Sequence, residues 1–430
     1  MSRVLIVGGG PAGLSVAITL AQKNVACVVV EKSCWPRDKV CGEGLMPTGV
    51  HFLQKYNIDK NLPEDGYYPF AGIRYLDGNI IAQAHFKSGD GFGIRRLHLS
   101  NALLQTARGF SCVEIREKTQ LQSFSRDEIG IDAVLSCAGN SLNERFSVII
   151  GADGLRSKVK KIAGLEGRAP GKQKRWGGRQ HFAVTPWSPY VEIRWRKGIE
   201  AYVTPSGENR VEIAFLWERE KLKPRKKDWF GSLLELFPDL YEKVRDCKEL
   251  SKAQGIGPLA VGCSSAVDDR IILIGDAQVY LDGITGEGIS MAFEQAEIVS
   301  EELPQLLIDD RLQKKDLQVL AKKFKKPVRR YVLLTRLALL LTRYPVLRRG
   351  AMRSLSRSST CFQHFLESNM GAKPLWYFPL FSSWQLLWGL LVPKRITDVS
   401  SSFINEKRDL IGPNYKEDKC RHTLTDSKAI

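Results

Sequence analysis

Unbroken apolar runs and helix-period patterns alternate along the N-terminal part of the chain. From Arg3 to Val7 the residues run apolar without alternation, which is typical of a strand buried on both faces. Glycines follow, then apolar residues at helical spacing from Leu14, then a second buried strand over residues 26–31. This order predicts a βαβ unit. Further elements of this kind are predicted as strands over residues 146–150 and 270–275 and as a helix over residues 289–303.

A different periodicity governs the middle of the chain. From about residue 175, apolar and polar residues alternate, which predicts an antiparallel sheet with one covered face. Shorter strand-like pieces precede it between residues 69 and 94, and helical spacing follows them over residues 97–107. The whole pattern predicts a parallel α/β domain interrupted by an antiparallel insert. The alternating segments are residues 181–185, 190–195, 201–203 and 211–217.

Composition places the chain among ordinary folded proteins. Of its 430 residues, 43% are hydrophobic and 26% are charged, which excludes wholesale disorder and a disulfide-scaffold fold. Lysine and arginine total 64 against 47 acidic residues, a formal net charge of +17, so an anionic surface or a polyanion is an expected neighbour. The nine cysteines lack paired CxxC spacing, which predicts free thiols, a reducing compartment and no metal site.

No segment has the pattern of a targeting signal or a membrane span. The N-terminus lacks a basic region followed by a long apolar stretch. The longest apolar runs are well short of the ~20 residues that cross a bilayer as a helix. We therefore expect a cytoplasmic protein.

Three glycines between the first strand and the first helix carry the clearest chemical signal. Gly8, Gly10 and Gly13 match GxGxxG, in which the first glycine makes the tight turn, the second admits a pyrophosphate and the third lets helix and strand pack closely. Glu31, followed by Lys32, ends the second strand where a carboxylate accepts hydrogen bonds from ribose hydroxyls. The pattern predicts a dinucleotide site for either NAD or FAD.

A second glycine-rich turn favours FAD over NAD. An apolar strand delivers Gly275 and Asp276 to a position where the carboxylate could bind a ribityl hydroxyl. Gly286, Gly288 and Ile289 then open a helix whose positive end could face the flavin pyrimidine and favour the anionic reduced flavin.

These segments resemble the FAD-dependent monooxygenase superfamily of the para-hydroxybenzoate hydroxylase fold. Asp153 and Gly154 lie in a segment similar to its Asp-Gly motif, with Lys160 where an arginine is usual, and Arg96 is similar to its diphosphate-contacting arginine. The resemblance implies an α/β fold, with a Rossmann-like FAD-binding domain of the glutathione reductase or para-hydroxybenzoate hydroxylase type, interrupted by an antiparallel β-sheet substrate domain, and a helical C-terminal region. It implies three FAD-binding parts over residues 1–75, 98–165 and 261–328, substrate-domain parts over 76–97 and 166–260, a basic and apolar helical region over 329–371, and a partly disordered appendage over 372–430.

Within the superfamily, the segment Cys41-Gly42-Glu43-Gly44 resembles a loop of the geranylgeranyl-reductase-like branch. Cys41, Glu43 and His181 are therefore candidates for proton handling beside the flavin, the alternatives being a packed thiol and a structural histidine. Tyr202 and Trp217 are expected to line the substrate side, the alternative being an ordinary sheet core. Relatives usually have Asp-Pro where this chain has Asp282-Gly283, so we expect a looser turn over the flavin.

The resemblance implies that the flavin carries the chemistry and that NADPH or NADH reduces it. We expect a monooxygenase that hydroxylates or epoxidises a hydrophobic or aromatic small molecule through a flavin C4a-hydroperoxide. One alternative is a geranylgeranyl-reductase-like enzyme that saturates prenyl double bonds. Another is a membrane-docked flavoprotein with little turnover.

The C-terminal part of the chain combines basic and apolar residues. The apolar segment 332–341 lies between arginines, and the tail adds tryptophans and leucines beside cations, which suits peripheral contact with an anionic membrane on its inner face. The alternative for 332–341 is a helix packed on the FAD domain with a solvated basic face. We expect no nucleic-acid partner, because no recognition motif accompanies the charge.

Overall fold

In the computed structural model, the described residues are 3–169 and 175–373, and their strands form five sheets. The strands are β1 (Val4–Val7), β2 (Cys27–Val30), β3 (Gly44–Leu45), β4 (Tyr67–Phe70), β5 (Gly72–Asp77), β6 (Ile80–His85), β7 (Gly91–Ile94), β8 (Val113–Arg116), β9 (Thr119–Arg126), β10 (Ile131–Cys137), β11 (Asn140–Phe146), β12 (Val148–Gly151), β13 (Glu166–Gly167), β14 (Arg175–Phe182), β15 (Tyr190–Arg196), β16 (Ile199–Gly207), β17 (Arg210–Glu218), β18 (Gln254–Ile256), β19 (Gly262–Cys263), β20 (Val267–Asp268) and β21 (Ile271–Leu273).

Helices connect and cover these sheets. They are α1 (Pro11–Ala21), α2 (Pro47–Lys55), α3 (Arg96–Arg108), α4 (Lys158–Ile162), α5 (Trp229–Leu234), α6 (Pro238–Val244), α7 (Gly275–Gln278), α8 (Gly288–Ile308), α9 (Lys314–Arg343), α10 (Pro345–Arg357) and α11 (Ser359–Asn369), with a 3₁₀ turn at Asp59–Asn61.

The central sheet has the strand order β20-β21-β12-β1-β2-β8, and all its pairings except β20 with β21 are parallel. Its strands are buried on both faces because α1, α3 and α8 cover one side and the antiparallel sheet β9–β11 covers the other. The predicted α/β class is confirmed. Strands β8 to β11 were not indicated by the sequence pattern. The carboxyl ends of β1, β12 and β21 meet at one edge, where ligands of such sheets bind.

A seven-stranded sheet of order β18-β14-β17-β16-β15-β5-β6 forms the predicted insert, antiparallel except between β15 and β5. Helices α5 and α6 cover its outer face. Trp217 lies on this outer face and stacks on Trp229 with ring centroids 5.9 Å apart, so its expected place on the substrate side is wrong. Tyr202, on the opposite face, donates its hydroxyl to the carbonyl of Ile284 at 3.1 Å. The period of two along each strand separates these two aromatic residues.

Strand β14 begins earlier and ends earlier than the alternation indicated, at Arg175 and Phe182 rather than over residues 181–185. Its first half escapes the apolar pattern because buried Arg175 and Arg179 occupy inward positions and are paired with carboxylates. Charge pairing replaces hydrophobic burial in this part of the sheet.

Three helices, α9, α10 and α11, follow the last strand and helix of the domain built on the central sheet. Helix α9 is 30 residues long, packs against α8 and contains the predicted 332–341 segment. Helices α10 and α11 pack on the β5–β6 hairpin, where Arg348 pairs with the buried Asp77 at 2.8 Å. The predicted helical C-terminal region is confirmed. The expectations of partial disorder and of a membrane-facing tail concern residues beyond 373, which lie outside the described part of the chain.

Candidate active site

The glycine turn after β1 is closely packed on two sides and open on a third. A Cβ atom at Gly13 would lie 1.9 Å from the carbonyl oxygen of Gly8, and one at Gly8 would lie 2.7 Å from Cα of Asp153. Both positions therefore require glycine for the close approach of neighbouring backbone. Gly10 differs, since none of the described residues has an atom within 4 Å of a Cβ placed there. It forms the N-cap of α1 without a side-chain cap, so that open space faces unsatisfied backbone N–H groups.

Glu31 braces this turn from the end of β2. Its carboxylate accepts hydrogen bonds from the backbone N–H groups of Gly9 at 2.9 Å and Ser33 at 3.0 Å, and it pairs with Arg37. Lys32 is exposed beside it. The buried carboxylate thus holds the glycine turn in shape, and a ribose contact remains its predicted role.

Strands β12 and β21 bring further predicted residues to the same edge. Asp153 lies beside Gly8, and one of its carboxylate oxygens accepts from the backbone N–H of Lys158 at 2.6 Å and Val159 at 3.2 Å. Gly154 follows with open space above it. Gly275 lies against α1 and α8, since its Cβ would lie 3.0 Å from Cβ of Ala12, and its N–H donates to Gln295 at 2.8 Å.

Asp276 sits among three cations. Removal from water raises the pKa of its carboxyl to about 6, and the positive charges of Lys39, Arg96 and Lys160 oppose that rise. Among the described residues, Nη1 of Arg96 and Nζ of Lys160 are buried with no hydrogen-bond partner. Buried cationic donors without partners are costly, so this cluster has the donor set for an anionic ligand.

The start of α8 closes the opposite side of the site. A Cβ atom placed at Gly286 would lie 3.5 Å from the methyl carbon of Met46, and a Cβ at Gly288 would meet no atom of the described residues within 4 Å. Ile289 packs on the core below. Glu287, the N-cap residue, has no side-chain cap bond, and burial raises the pKa of its carboxyl to about 7 against the opposing charge of Arg330. The helix therefore presents uncapped N–H groups to the site.

Two of the three candidate proton-handling residues touch each other. His181 on β14 donates from Nε2 to Oε2 of Glu43 at 2.7 Å, and its Nδ1 accepts from the hydroxyl of Ser251 at 2.8 Å. The other oxygen of Glu43 accepts from the backbone N–H of Arg96 at 2.8 Å, at the start of α3. Glu43 therefore joins the loop that contains Cys41 to both a sheet and a helix. Burial raises the pKa of the Cys41 thiol to about 11, so it stays protonated at neutral pH.

Glu212 completes this cluster, and the sequence analysis missed it. It is the cross-strand partner of His181, its side chain is fully buried, and neither carboxylate oxygen has a hydrogen-bond partner among the described residues. Burial and the nearby Glu43 raise the pKa of Glu212 well above the ordinary range, against the opposing charge of Arg179. Atoms of Glu43, His181 and Glu212 approach within 4.8 Å of one another. Both ring nitrogens of His181 and both oxygens of Glu43 already form hydrogen bonds with protein partners.

A family model described as the FAD binding domain matches residues 1–308. The chain belongs to this family. The flavoprotein is 26% identical over 315 residues to the digeranylgeranylglycerophospholipid reductase of Methanosarcina acetivorans, covering 69% of this chain and 74% of that protein. It is 24% identical over 329 residues to the 6-methylpretetramide 4-monooxygenase of Streptomyces rimosus, covering 68% and 73%.

Solved structures show the same fold. A flavoprotein/dehydrogenase from Cytophaga hutchinsonii superposes with a TM-score of 0.76 over 86% of this chain and 93% of the other, at 17% identity. The protein is an enzyme, an FAD-dependent oxidoreductase whose relatives include reductases and monooxygenases. Among its described residues, none of the helices is long and apolar enough to span a membrane.

The residues at the sheet edge fit FAD. The open space at Gly10 and the unpartnered cations of Arg96 and Lys160 suit its diphosphate, and the carboxylates of Glu31 and Asp276 suit hydroxyls of its ribose and ribityl parts. The uncapped start of α8 suits an electron-rich ring edge. These individual contacts remain predictions.

The turn before α8 is firmly anchored, so the expectation of a looser turn at Asp282-Gly283 is wrong. The buried Asp282 pairs with Arg175 at 3.0 Å and accepts from the backbone N–H of Ile284 at 3.1 Å. The hydroxyl of Tyr331 on α9 donates to the carbonyl of Asp282 at 2.8 Å. Contacts from Arg175 and Tyr331 hold this turn in place.

Three side chains of the site escaped the sequence reasoning. Glu212, Arg179 and Asp38 meet only because β14 pairs with β17 and the loop after β2 folds onto that pair. The sequence signal that could have identified two of them is a charged residue at an inward position of a strand with alternating apolar and polar residues. It was present at residues 179 and 212.

Proposed function

We propose that this flavoprotein is an NAD(P)H-dependent monooxygenase acting on a hydrophobic or aromatic small molecule. The observation that carries the proposal is the pairing of an apolar wall with a buried acid cluster beside the cofactor edge. Tyr202, Leu216 and Ile284 form the apolar wall between the seven-stranded sheet and the turn leading to α8. Glu43, His181 and Glu212 form the acid cluster on the same face of that sheet.

Water exclusion supports oxygen transfer over loss of hydrogen peroxide. The loop carrying Cys41 and Glu43 is fastened to the sheet at two places, by the His181 bond and by the hydroxyl of Thr204, which donates to the carbonyl of Gly42 at 3.0 Å. The His181 bond is buried, and Thr204 is buried at the sheet end of the second bond, whereas Gly42 at its loop end is exposed. The chain itself thereby keeps this loop closed over the site.

Bound FAD supplies the acceptance of hydride and the activation of oxygen. Overall, NAD(P)H, one proton, dioxygen and the substrate give NAD(P)⁺, water and a substrate carrying one added oxygen atom. The chain's part is to exclude water and to hold protons. The raised pKa of Glu212 favours the protonated form of its carboxyl, and Nε2 of His181 forms a hydrogen bond with Glu43.

A second function is favoured by the segment Cys41-Gly42-Glu43-Gly44 and by the similarity to a digeranylgeranylglycerophospholipid reductase. In that case NAD(P)H and one proton saturate a prenyl double bond, and dioxygen takes no part. The same buried proton holders would serve this reaction, because carbon also receives a proton. The two functions differ in their need for oxygen.

Isotopically labelled dioxygen separates the two functions. The FAD-loaded enzyme is mixed with NADPH and either a set of aromatic phenols or a geranylgeranyl lipid, and products are weighed by mass spectrometry. One labelled oxygen atom in a product supports the monooxygenase. Gain of two hydrogens under anaerobic conditions identifies the reductase instead. NADPH oxidation that yields only hydrogen peroxide with every compound contradicts both and supports a flavoprotein with little turnover.

A further inference from the structure

Helix α9 has two different faces. Its inner face packs on the rest of the protein through buried side chains including Tyr331, Leu334 and Thr335. Its outer face exposes large apolar side chains, which continue into the first turn of α10. This outer stripe consists of Leu333, Leu337, Leu340, Tyr344, Val346 and Leu347, of which Leu333 is 56% and Val346 87% exposed.

Helical geometry places the part of the stripe from Leu333 to Tyr344 along one line. Residues 333, 337, 340 and 344 follow spacings of four, three and four, so at 3.6 residues per turn they share one side of the helix. Continuing the same side toward the N-terminus of α9 gives the exposed Lys322, Lys326 and Arg329. One face is thus basic in its first half and apolar in its second half.

The charge of this region has a single sign. Residues 317–366 contain four lysines and eight arginines and no aspartate or glutamate, so they contribute +12 of the formal +17 of the whole chain. A contiguous apolar surface rimmed by cations suits a bilayer whose surface carries anionic lipids. A nucleic acid would match the positive charge of this region, but its phosphate backbone offers no apolar surface for the leucines of the outer stripe.

We propose that the outer stripe inserts into the headgroup region of an anionic bilayer, such as the cytoplasmic leaflet, while the cations of α9 bind lipid phosphates. The interaction is peripheral, since the stripe lies along the helix surface and does not span the membrane. It concerns a surface distinct from the FAD site, so it stands whichever reaction the enzyme catalyses.

Vesicle flotation of the full-length, FAD-loaded protein tests this. We expect the protein to float with vesicles of equimolar phosphatidylcholine and phosphatidylglycerol and not with phosphatidylcholine alone. The double variant Leu337→Glu, Leu340→Glu should lower the partition coefficient on the order of a hundredfold, at about tenfold per leucine withdrawn. The matched control is Ile129→Glu with Leu142→Glu, two exposed apolar side chains elsewhere, which should behave as wild type.

Charge is tested separately. Replacing Lys322, Lys326 and Arg329 by glutamine should weaken binding to the anionic vesicles by about fivefold per cation. The control replaces Lys223, Lys226 and Lys227, which are also exposed, and should change binding little. Flavin absorbance and circular dichroism report whether each variant is folded and loaded.

Three results would overturn the proposal. The first is wild-type protein that ignores anionic vesicles. The second is full binding by the Leu337, Leu340 variant, which would place the contact in residues 374–430 or elsewhere. The third is competition by single-stranded RNA together with full binding by that same variant, which would identify a polyanion surface.

Discussion

Glu43 and His181 form a hydrogen bond of 2.7 Å although 138 positions separate them in the chain. This bond connects the loop after β2 to strand β14 of the seven-stranded sheet. It is buried at both ends, so neither group can exchange its partner for water. It is one of two hydrogen bonds that hold this loop against the seven-stranded sheet.

Replacing Glu43 should separate the contribution of its carboxylate from the strain of its backbone. The residue has a φ of 50°, in the left-handed region that favours glycine. Glu43→Ala leaves the buried N–H groups of His181 and Arg96 without an acceptor and should cost about 2–4 kcal/mol of unfolding free energy. Glu43→Gly should recover about 1 kcal/mol of that loss, as measured by urea denaturation.

Asn24 provides the control, because it has a φ of 58° on the surface. The free energy of unfolding of Asn24→Gly should exceed that of Asn24→Ala by a similar amount. Asn24→Ala itself should lose far less unfolding free energy than Glu43→Ala. Equal stability of the alanine and glycine variants at position 43 would contradict the role given to the backbone.

Glu212→Gln should change how stability depends on pH. A carboxyl whose pKa is raised on folding stabilises the folded state below its unfolded pKa of about 4.3, and that contribution is lost as pH rises toward the folded pKa. The amide of the glutamine does not titrate. As pH rises within this window, the unfolding free energy of the variant should therefore increase relative to that of wild type by up to about 1.4 kcal/mol per pH unit. Urea unfolding at several pH values measures the gap.

The groups that face Glu212 are Glu43, His181, Arg179, Asp38, Arg95 and Cys41. They remain in the glutamine variant, so their own titration cancels in the comparison to first order. A gap that stays constant with pH would mean that Glu212 does not take up a proton on folding.

Two neighbouring glycines should respond differently to substitution. Gly13→Ala places a methyl group 1.9 Å from the carbonyl oxygen of Gly8 and should destabilise the protein by about 3 kcal/mol or more. Gly10→Val has room in the protein alone and should leave the free energy of unfolding of the FAD-free form nearly unchanged, but it fills the space assigned to the diphosphate. Flavin absorbance after purification should be lost in Gly10→Val. Normal FAD retention in that variant would place the diphosphate elsewhere.

Lys160→Met should have opposite effects with and without FAD. Its ammonium is buried and unpartnered among the described residues, so the apolar side chain should raise the stability of the FAD-free protein by about 1 kcal/mol. Loss of the cation should weaken FAD binding by roughly tenfold. Thermal unfolding with and without FAD measures both effects.

Lys161, which is exposed on the same helix, is the control. Lys161→Met should neither raise the stability of the FAD-free protein nor weaken FAD binding. A loss of stability in both states of the Lys160 variant would show that the lysine is structural.

Most of the correct predictions from the sequence came from local patterns. The glycine turn, Glu31 and the segment around Asp153 are contiguous motifs, each with a backbone geometry that its residues impose. Glu212 and Arg179 were missed because their partners are set by the register of β14 with β17, which no local pattern contains. Trp217 was placed on the wrong face for a similar reason: the packing of α5 and α6 on one side of the sheet is a contact between separate segments, which no local pattern contains.

The anchored turn at Asp282 shows a second limit. A glycine where relatives usually have proline predicts more freedom locally, yet Arg175 from the sheet and Tyr331 from α9 both hold the preceding carboxylate residue. Contacts between distant parts of the chain replaced a local constraint. Such replacement is invisible until the fold is known.

The hydroxyl of Tyr331 accepts from the backbone N–H groups of Leu281 and Asp282 at 3.1 and 3.2 Å, besides donating to the carbonyl of Asp282. Helix α9 therefore cannot change register without disturbing the turn that leads to α8. As the sequence diverges during evolution, Tyr331 should be retained together with that turn, whereas Leu333, Leu337 and Leu340 are free to change with the surface they meet. Insertions within α9 should be rare between residue 331 and the stripe, because one added residue would rotate the two faces by about 100° relative to each other.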